Sequence, residues 1–311
     1  MIDLEYPDLP EEFLVHEPEM AVADFWKELN TFTIYRSNHT DMSSKYRYPF
    51  HFPYEQVEWP EYWTHLFQEY WYHSITISVV YFIVIKLIQK FMEPRKPFNL
   101  RYPLILWNGA LALFSIAATI RFSVDPIRSL YVEGLYRTIC YSCHPKDVAA
   151  FWSFAFALSK IVELGDTMFI ILRKRPLIFL HYYHHAAVLI YTVHSGAEHT
   201  AAGRFYILMN YIAHSLMYTY YTVSAIGYRL PKWVSMTVTT VQTVQMLAGV
   251  GISYLVYRVK TIYNLPCQQS MANLYLAFVI YITFAFLFIQ FFINTYIRNA
   301  KKNAKKTKKV E

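Results

Sequence analysis

The sequence predicts an all-α membrane protein with seven transmembrane helices. Three observations carry that expectation. The 311 residues are 55% hydrophobic and 19% aromatic with only 8 glycines, too apolar for an ordinary soluble domain. Seven segments have the roughly 20 apolar residues needed to cross a hydrocarbon core about 30 Å thick. Charge is also segregated: residues before Trp71 carry fourteen acidic side chains against Lys27, Arg36, Lys45 and Arg47, while the remainder is strongly basic. Such a chain offers no soluble fold on which a basic surface would meet nucleic acid, so no nucleic-acid partner is expected.

The spans run approximately over residues 71–91, 102–122, 148–172, 177–195, 204–226, 233–257 and 274–297. The fourth and fifth are interrupted by His, Tyr and Asn, yet Pro176 and Gly203 punctuate their starts. Three regions follow: an acidic N-terminal tail over 1–70, a membrane domain over 71–297 and a basic tail over 298–311.

Seven spans place the termini on opposite sides, and Lys and Arg choose the orientation. Lys90, Arg95, Lys96 and Arg101, then Arg173, Lys174 and Arg175, then Arg229 and Lys232 fall on the side of the basic tail. That side is expected in the cytosol and the acidic tail in the lumen. The sequon at Asn38 then lies where glycosylation occurs. Cys140, Cys143 and Cys267 all fall in lumenal connections, where Cys140 or Cys143 pairing with Cys267 is one reading and three free thiols the other. Lys308 and Lys309, fourth and third from the end, look like the dilysine retrieval signal of endoplasmic-reticulum membrane proteins. The alternative is a solvated tail drawn to anionic headgroups of membrane lipid. The first seventy residues lack the apolar core of a cleavable signal peptide.

Ionisable side chains inside a span are costly and mark protein interiors or wet cavities. The third span carries Lys160, Glu163, Asp166 and Thr167; the fourth carries His181, His184 and His185; the fifth carries Asn210, His214, Met217, Tyr218 and Tyr221; the sixth carries Gln242 and Gln245. At about 100° per residue, these positions form stripes on four successive helices. Four polar stripes imply a bundle around a polar chamber. Each also has a plainer reading: an interhelical ion-pair network for Lys160, Glu163 and Asp166, hydrogen-bonding between helices for the two glutamines, and an interfacial belt for the tyrosines. His194 and His199 read as interfacial.

Three chemistries compete for the cluster His181-Tyr182-Tyr183-His184-His185. A diiron desaturase or hydroxylase needs about eight ligands, but only four histidines sit inside the bundle. A mononuclear zinc site stays open, since three histidines and a water would suffice. Acyl transfer with imidazole as base or nucleophile needs no metal ligands. A receptor or transporter would use the chamber only for binding.

The strings over 160–167, 181–185, 214–221 and 239–245 closely resemble the ELO fatty acid elongases, and the resemblance covers roughly residues 71–300. It implies that helices two to seven form a barrel around an acyl tunnel, with the first helix outside. It implies a very-long-chain 3-oxoacyl-CoA synthase that uses no metal or other cofactor: acyl-CoA and malonyl-CoA give a 3-oxoacyl-CoA two carbons longer, CO2 and CoA. A 3-oxoacyl-CoA reductase, a dehydratase and an enoyl reductase would complete the cycle as partners, and a homodimer is compatible with it. The family mechanism puts an acyl-imidazole on His184, with His181, His185 and His214 assisting. Arg173, Lys174 and Arg175 become candidates for the CoA phosphates. The string over 175–181 looks more like elongases of saturated and monounsaturated chains.

Overall fold

In a computed structural model, residues 22–35 and 42–298 are described. Asn38, Lys308 and Lys309 lie outside them. The described residues are helical throughout, with no strand and a single isolated bridge between Ser43 and Ser142. The helices are Val22–Leu29 (α1), Pro60–Tyr70 (α2), His73–Met92 (α3), Arg101–Phe122 (α4), Val124–Val132 (α5), Gly134–Cys140 (α6), Val148–Glu163 (α7), Gly165–Leu172 (α8), Phe179–Glu198 (α9), Gly203–Ile226 (α10), Lys232–Thr261 (α11) and Met271–Phe292 (α12).

Among the described residues, three stretches are long and apolar enough to cross a membrane: α3, α4 continued through α5 to Val132, and α12 continued to Arg298. The other four expected spans are helical too; polar stripes lower the hydropathy of the fourth to sixth, and the third falls short in length, as helices of 16 and 8 residues. The third is divided at Leu164 between α7 and α8, a division the sequence pattern did not reveal.

Local chemistry sets the helix ends. Asp147 accepts from Val148 N at 2.8 Å and Ser270 Oγ from Asn273 N at 3.1 Å, capping α7 and α12. Gly227, at φ 115°, ends α10 in the left-handed region that a side chain disfavours.

Helix α4 packs along α10, α10 on α11, α11 on α12, α12 on α9, α9 on α7, and α7 back on α4. Helix α3 lies against α8 and α9. Gly249 lets α11 approach α12 closely, because a Cβ there would sit 2.2 Å from the Tyr281 ring.

At one end, Cys140 and Cys267 form a disulfide, and Cys143 is free. The acidic N-terminal segment, expected as a tail, packs on this same end wherever it is described. Glu28 accepts from Met271 N and Ala272 N, both at 2.9 Å, satisfying backbone donors that the start of α12 leaves open. Glu55 receives Arg121 and Trp152 Nε1. Burial opposes its ionisation, yet the bonds from Arg121, Phe52 N and Trp152 outweigh burial and hold the carboxyl below its ordinary range. Asp147 also binds Tyr48 N at 2.8 Å.

At the opposite end, Arg101 donates to the Ala225 and Ile226 carbonyls, and Lys174 donates to Glu93 O at 2.9 Å. The basic connections are therefore gathered there.

Candidate active site

The α7–α8 joint organises the polar interior. Lys160 Nζ lies 2.9 and 3.1 Å from the two Glu163 oxygens and donates to Asn210 Oδ1 at 2.8 Å. Ser159 Oγ donates to Glu163 at 3.0 Å, and His214 Nδ1 faces the same carboxylate at 3.5 Å. Lys160 and Glu163 are only 3% and 4% exposed, so each charge depends on the other and on these polar neighbours.

Just past the joint, Asp166 accepts from Trp107 Nε1 at 2.6 Å and Tyr218 Oη at 2.7 Å. Gly165 makes this possible: a Cβ there would lie 2.7 Å from the Trp107 ring. Gly165→Ala is therefore expected to push the indole off Asp166 and to cost about 1–3 kcal/mol, as overpacking does. Matched thermal melts and tryptophan fluorescence check this; an unchanged indole environment would refute it.

Thr167 is fully buried and joins Tyr81 Oη at 2.5 Å to His181 Nε2 at 3.0 Å. The histidine cluster then divides. His181 and His185 lie ring against ring at 4.4 Å. His184 turns about α9 toward Phe284, 4.7 Å between ring centroids, and its Nδ1 is buried without a hydrogen-bond partner.

His184 lines an apolar cavity whose inner end it shares with Asn210, Gln245 and Phe284. One face of α9, formed by His184, Val188, Tyr191, Ser195 and His199, follows the cavity outward. Its outer end is lined by α2 and by Phe154 of α7. None of His181, His185 or His214 lines it.

Other expected chamber residues are placed differently. Gln242 Nε2 contacts Met217 Sδ at 3.1 Å, and Tyr221 is 46% exposed, outside the buried cluster. His194 is not interfacial: it is buried, bonded to Leu29 O and Asn273. His199 pairs with Thr64 Oγ1 at 2.8 Å, and burial lowers its imidazole to about 4. Arg173, Lys174 and Arg175 border a cleft at the basic end together with Arg101, which the sequence did not single out as a ligand. Trp107, Tyr81 and Ser159 are further partners that sequence reasoning missed. Among the described residues, no three His, Cys, Asp or Glu side chains are grouped to hold a metal ion.

Residues 66–304 match the family described as ELO: GNS1/SUR4 family. The chain is 83% identical over 272 residues to "Putative fatty acid elongase 4" of Caenorhabditis elegans, covering 88% of this chain and 94% of that one. It is 42% identical over 226 residues to very long chain fatty acid elongase 3 of Homo sapiens, covering 72% and 83%. It is 38% identical over 238 residues to very long chain fatty acid elongase 6 of Rattus norvegicus, covering 76% and 86%. With most of its length matched in both comparisons, the chain belongs to the ELO (GNS1/SUR4) family.

Proposed function

We propose that this protein is the membrane-embedded condensing enzyme of fatty acid elongation, joining acyl-CoA and malonyl-CoA into a 3-oxoacyl-CoA with release of CO2 and CoA. The observation that carries the mechanistic part is the position of His184. It alone of the four interior histidines lines the apolar cavity, and its Nδ1 makes no bond that would fix the ring's tautomer.

A ring nitrogen of His184 attacks the thioester carbonyl. The C–S bond breaks, and the departing CoA sulfur takes the imidazole proton, leaving an acyl-imidazole. Malonyl-CoA then loses its carboxylate as CO2, and the resulting enolate carbon attacks the acyl carbonyl. The C–N bond breaks and His184 regains a proton, delivered through the neighbouring His181–His185 pair. Asn210 supports the charge that develops on oxygen: its Oδ1 is engaged by Lys160, which leaves its amide N–H groups for the cavity. Gln245 is the second such donor. Asp166, Tyr218 and Trp107 satisfy one another and act as a fixed wall. The basic cleft at Arg101, Arg173, Lys174 and Arg175 suits the CoA phosphates. The reaction so drawn needs no metal or other cofactor.

The same reading takes α4, α7 with α8, α9, α10, α11 and α12 as a six-helix barrel with α3 outside, seven spans in all. Their circuit of contacts supports it. The disulfide end would face the endoplasmic-reticulum lumen and the basic end the cytosol, where the reductases and dehydratase of the cycle would collect the product.

Microsomes carrying the chain are expected to incorporate labelled malonyl-CoA into acyl-CoA two carbons longer than the primer. No incorporation across a graded panel of saturated and monounsaturated acyl-CoAs would sink the proposal.

A further inference from the structure

The outer end of the cavity is built by a segment that precedes the family's matched region. Val57, Pro60, Trp63 and Thr64 line it, and all four lie before residue 66, where the family match begins. Phe67, one turn of α2 further on, lines it as well. The ring of Phe154 on α7 meets Trp63 at 5.3 Å and Phe67 at 5.6 Å, so three aromatic rings stand together at the cavity's outer end.

This wall is anchored rather than draped. Buried Thr64 donates to Pro60 O and pairs with His199 just beyond the end of α9, both at 2.8 Å. Buried Gln68 donates to Ile34 O at 3.1 Å and to Ala197 O at 3.2 Å. The Phe67 ring also passes close to Gly196, 3.6 Å from where a Cβ would stand. Two of these bonds, Thr64 to His199 and Gln68 to Ala197 O, tie α2 to α9, the helix that carries His184, and the bond to Ile34 O ties it to the segment before it.

Distance gives the arrangement its meaning. His184 and His199 are 15 residues apart on one helix face, about 22 Å at 1.5 Å per residue. One leaflet's acyl chains occupy about 15 Å, half of a bilayer core. The face of α9 that lines the cavity is therefore long enough to carry an extended acyl chain from His184 to the level of α2, whose residues line its outer end.

We propose that α2 is the end stop of the acyl cavity, and that Trp63 and Phe67, set against Phe154, fix the longest chain the enzyme elongates. This rests on the reading of the cavity as the acyl site with His184 at its head. An acyl terminus that reaches the three rings stops there; one two carbons longer must displace a ring or leave its carbonyl short of His184.

The test is the product ladder made by microsomes with labelled malonyl-CoA and saturated acyl-CoAs of increasing length. Trp63→Ala, Phe67→Ala and the conservative Trp63→Leu are compared with wild type, alongside Ser153→Leu, which adds bulk next to Phe154 at a position that also lines the cavity. The truncations are expected to raise the share of product one two-carbon unit beyond the wild-type limit about tenfold, the scale on which a pocket discriminates single methylenes. Ser153→Leu is expected to shorten the ladder by one unit while short primers continue to be extended. An unchanged limit in variants that melt as wild type does would overturn the proposal. So would an equal loss on short and long primers, since an end stop cannot affect a chain that never reaches it. Failure of the underlying reading is a separate result: wild type would then elongate nothing, or His184→Ala would elongate as wild type does.

Discussion

In His184→Ala, incubation with acyl-CoA alone is expected to release no CoA and to leave no acylated protein, where wild type gives one adduct per chain by intact-protein mass spectrometry. Steady-state elongation should fall by roughly a thousandfold or more, because removing a covalent nucleophile eliminates both half-reactions together. His181→Ala and His185→Ala should keep a detectable adduct. Their rings meet at a tilt, 4.4 Å between centroids, and His181 reaches Thr167; neither lines the cavity, so their loss slows proton movement and loosens the neighbouring ring. His184→Gln fills much of the same volume beside Phe284 and separates lost chemistry from lost packing. An undiminished adduct in either His184 variant would move the nucleophile elsewhere and with it the head of the cavity.

The contrast between His184 and its neighbours was not legible in the sequence. Spacing at 0, 3 and 4 puts all three rings within about 100° of one helix face, so the pattern identifies a stripe without dividing it. The division comes from the other helices: Thr167 and Tyr81 draw His181 to one side, and Phe284 stands beside His184 on the other. Helix positions were readable because apolar length and terminal Pro and Gly act locally. The break at Leu164 was hidden because residues 160–167 keep a helical pattern across it. Tyr81 had a signal in the sequence: Ser74, Ser78 and Tyr81 form a hydroxyl stripe at i, i+4 and i+7 on the span expected outside the barrel. Trp107 had none, since a lone tryptophan in an apolar helix is what a membrane span contains anyway.

The N-terminal segment was least legible of all. Helices as short as α1 and α2 are marginal alone and form because tertiary contacts hold them. Composition registered only acidity. It could not distinguish carboxylates left in solvent from Glu28, which closes the start of α12, or Glu55, which is fully buried against Arg121 and Trp152.

Glu163→Ala is expected to destabilise the protein by about 3–5 kcal/mol, the usual consequence of leaving one member of a buried ion pair without its partner. The ammonium of Lys160 would retain only Asn210 Oδ1 and the face of Phe156, 4.3 Å away. Lys160→Met should cost a similar amount by stranding the carboxylate against Ser159 and His214. The double variant Lys160→Met with Glu163→Ala buries no charge at this point, so it should melt above either single variant; additive losses would show that the pair is not coupled. Restored stability should not restore activity. Without the ammonium, nothing holds Asn210 Oδ1 away from the cavity, and the amide can turn its acceptor toward the developing negative charge. Acylation of His184 by acyl-CoA should then survive in the double variant while condensation with malonyl-CoA slows by about a hundredfold, the scale of losing one oriented donor. Single-turnover measurement of the two half-reactions separates these outcomes. Equal slowing of both would leave Lys160 and Glu163 a purely structural pair and take Asn210 out of the reaction.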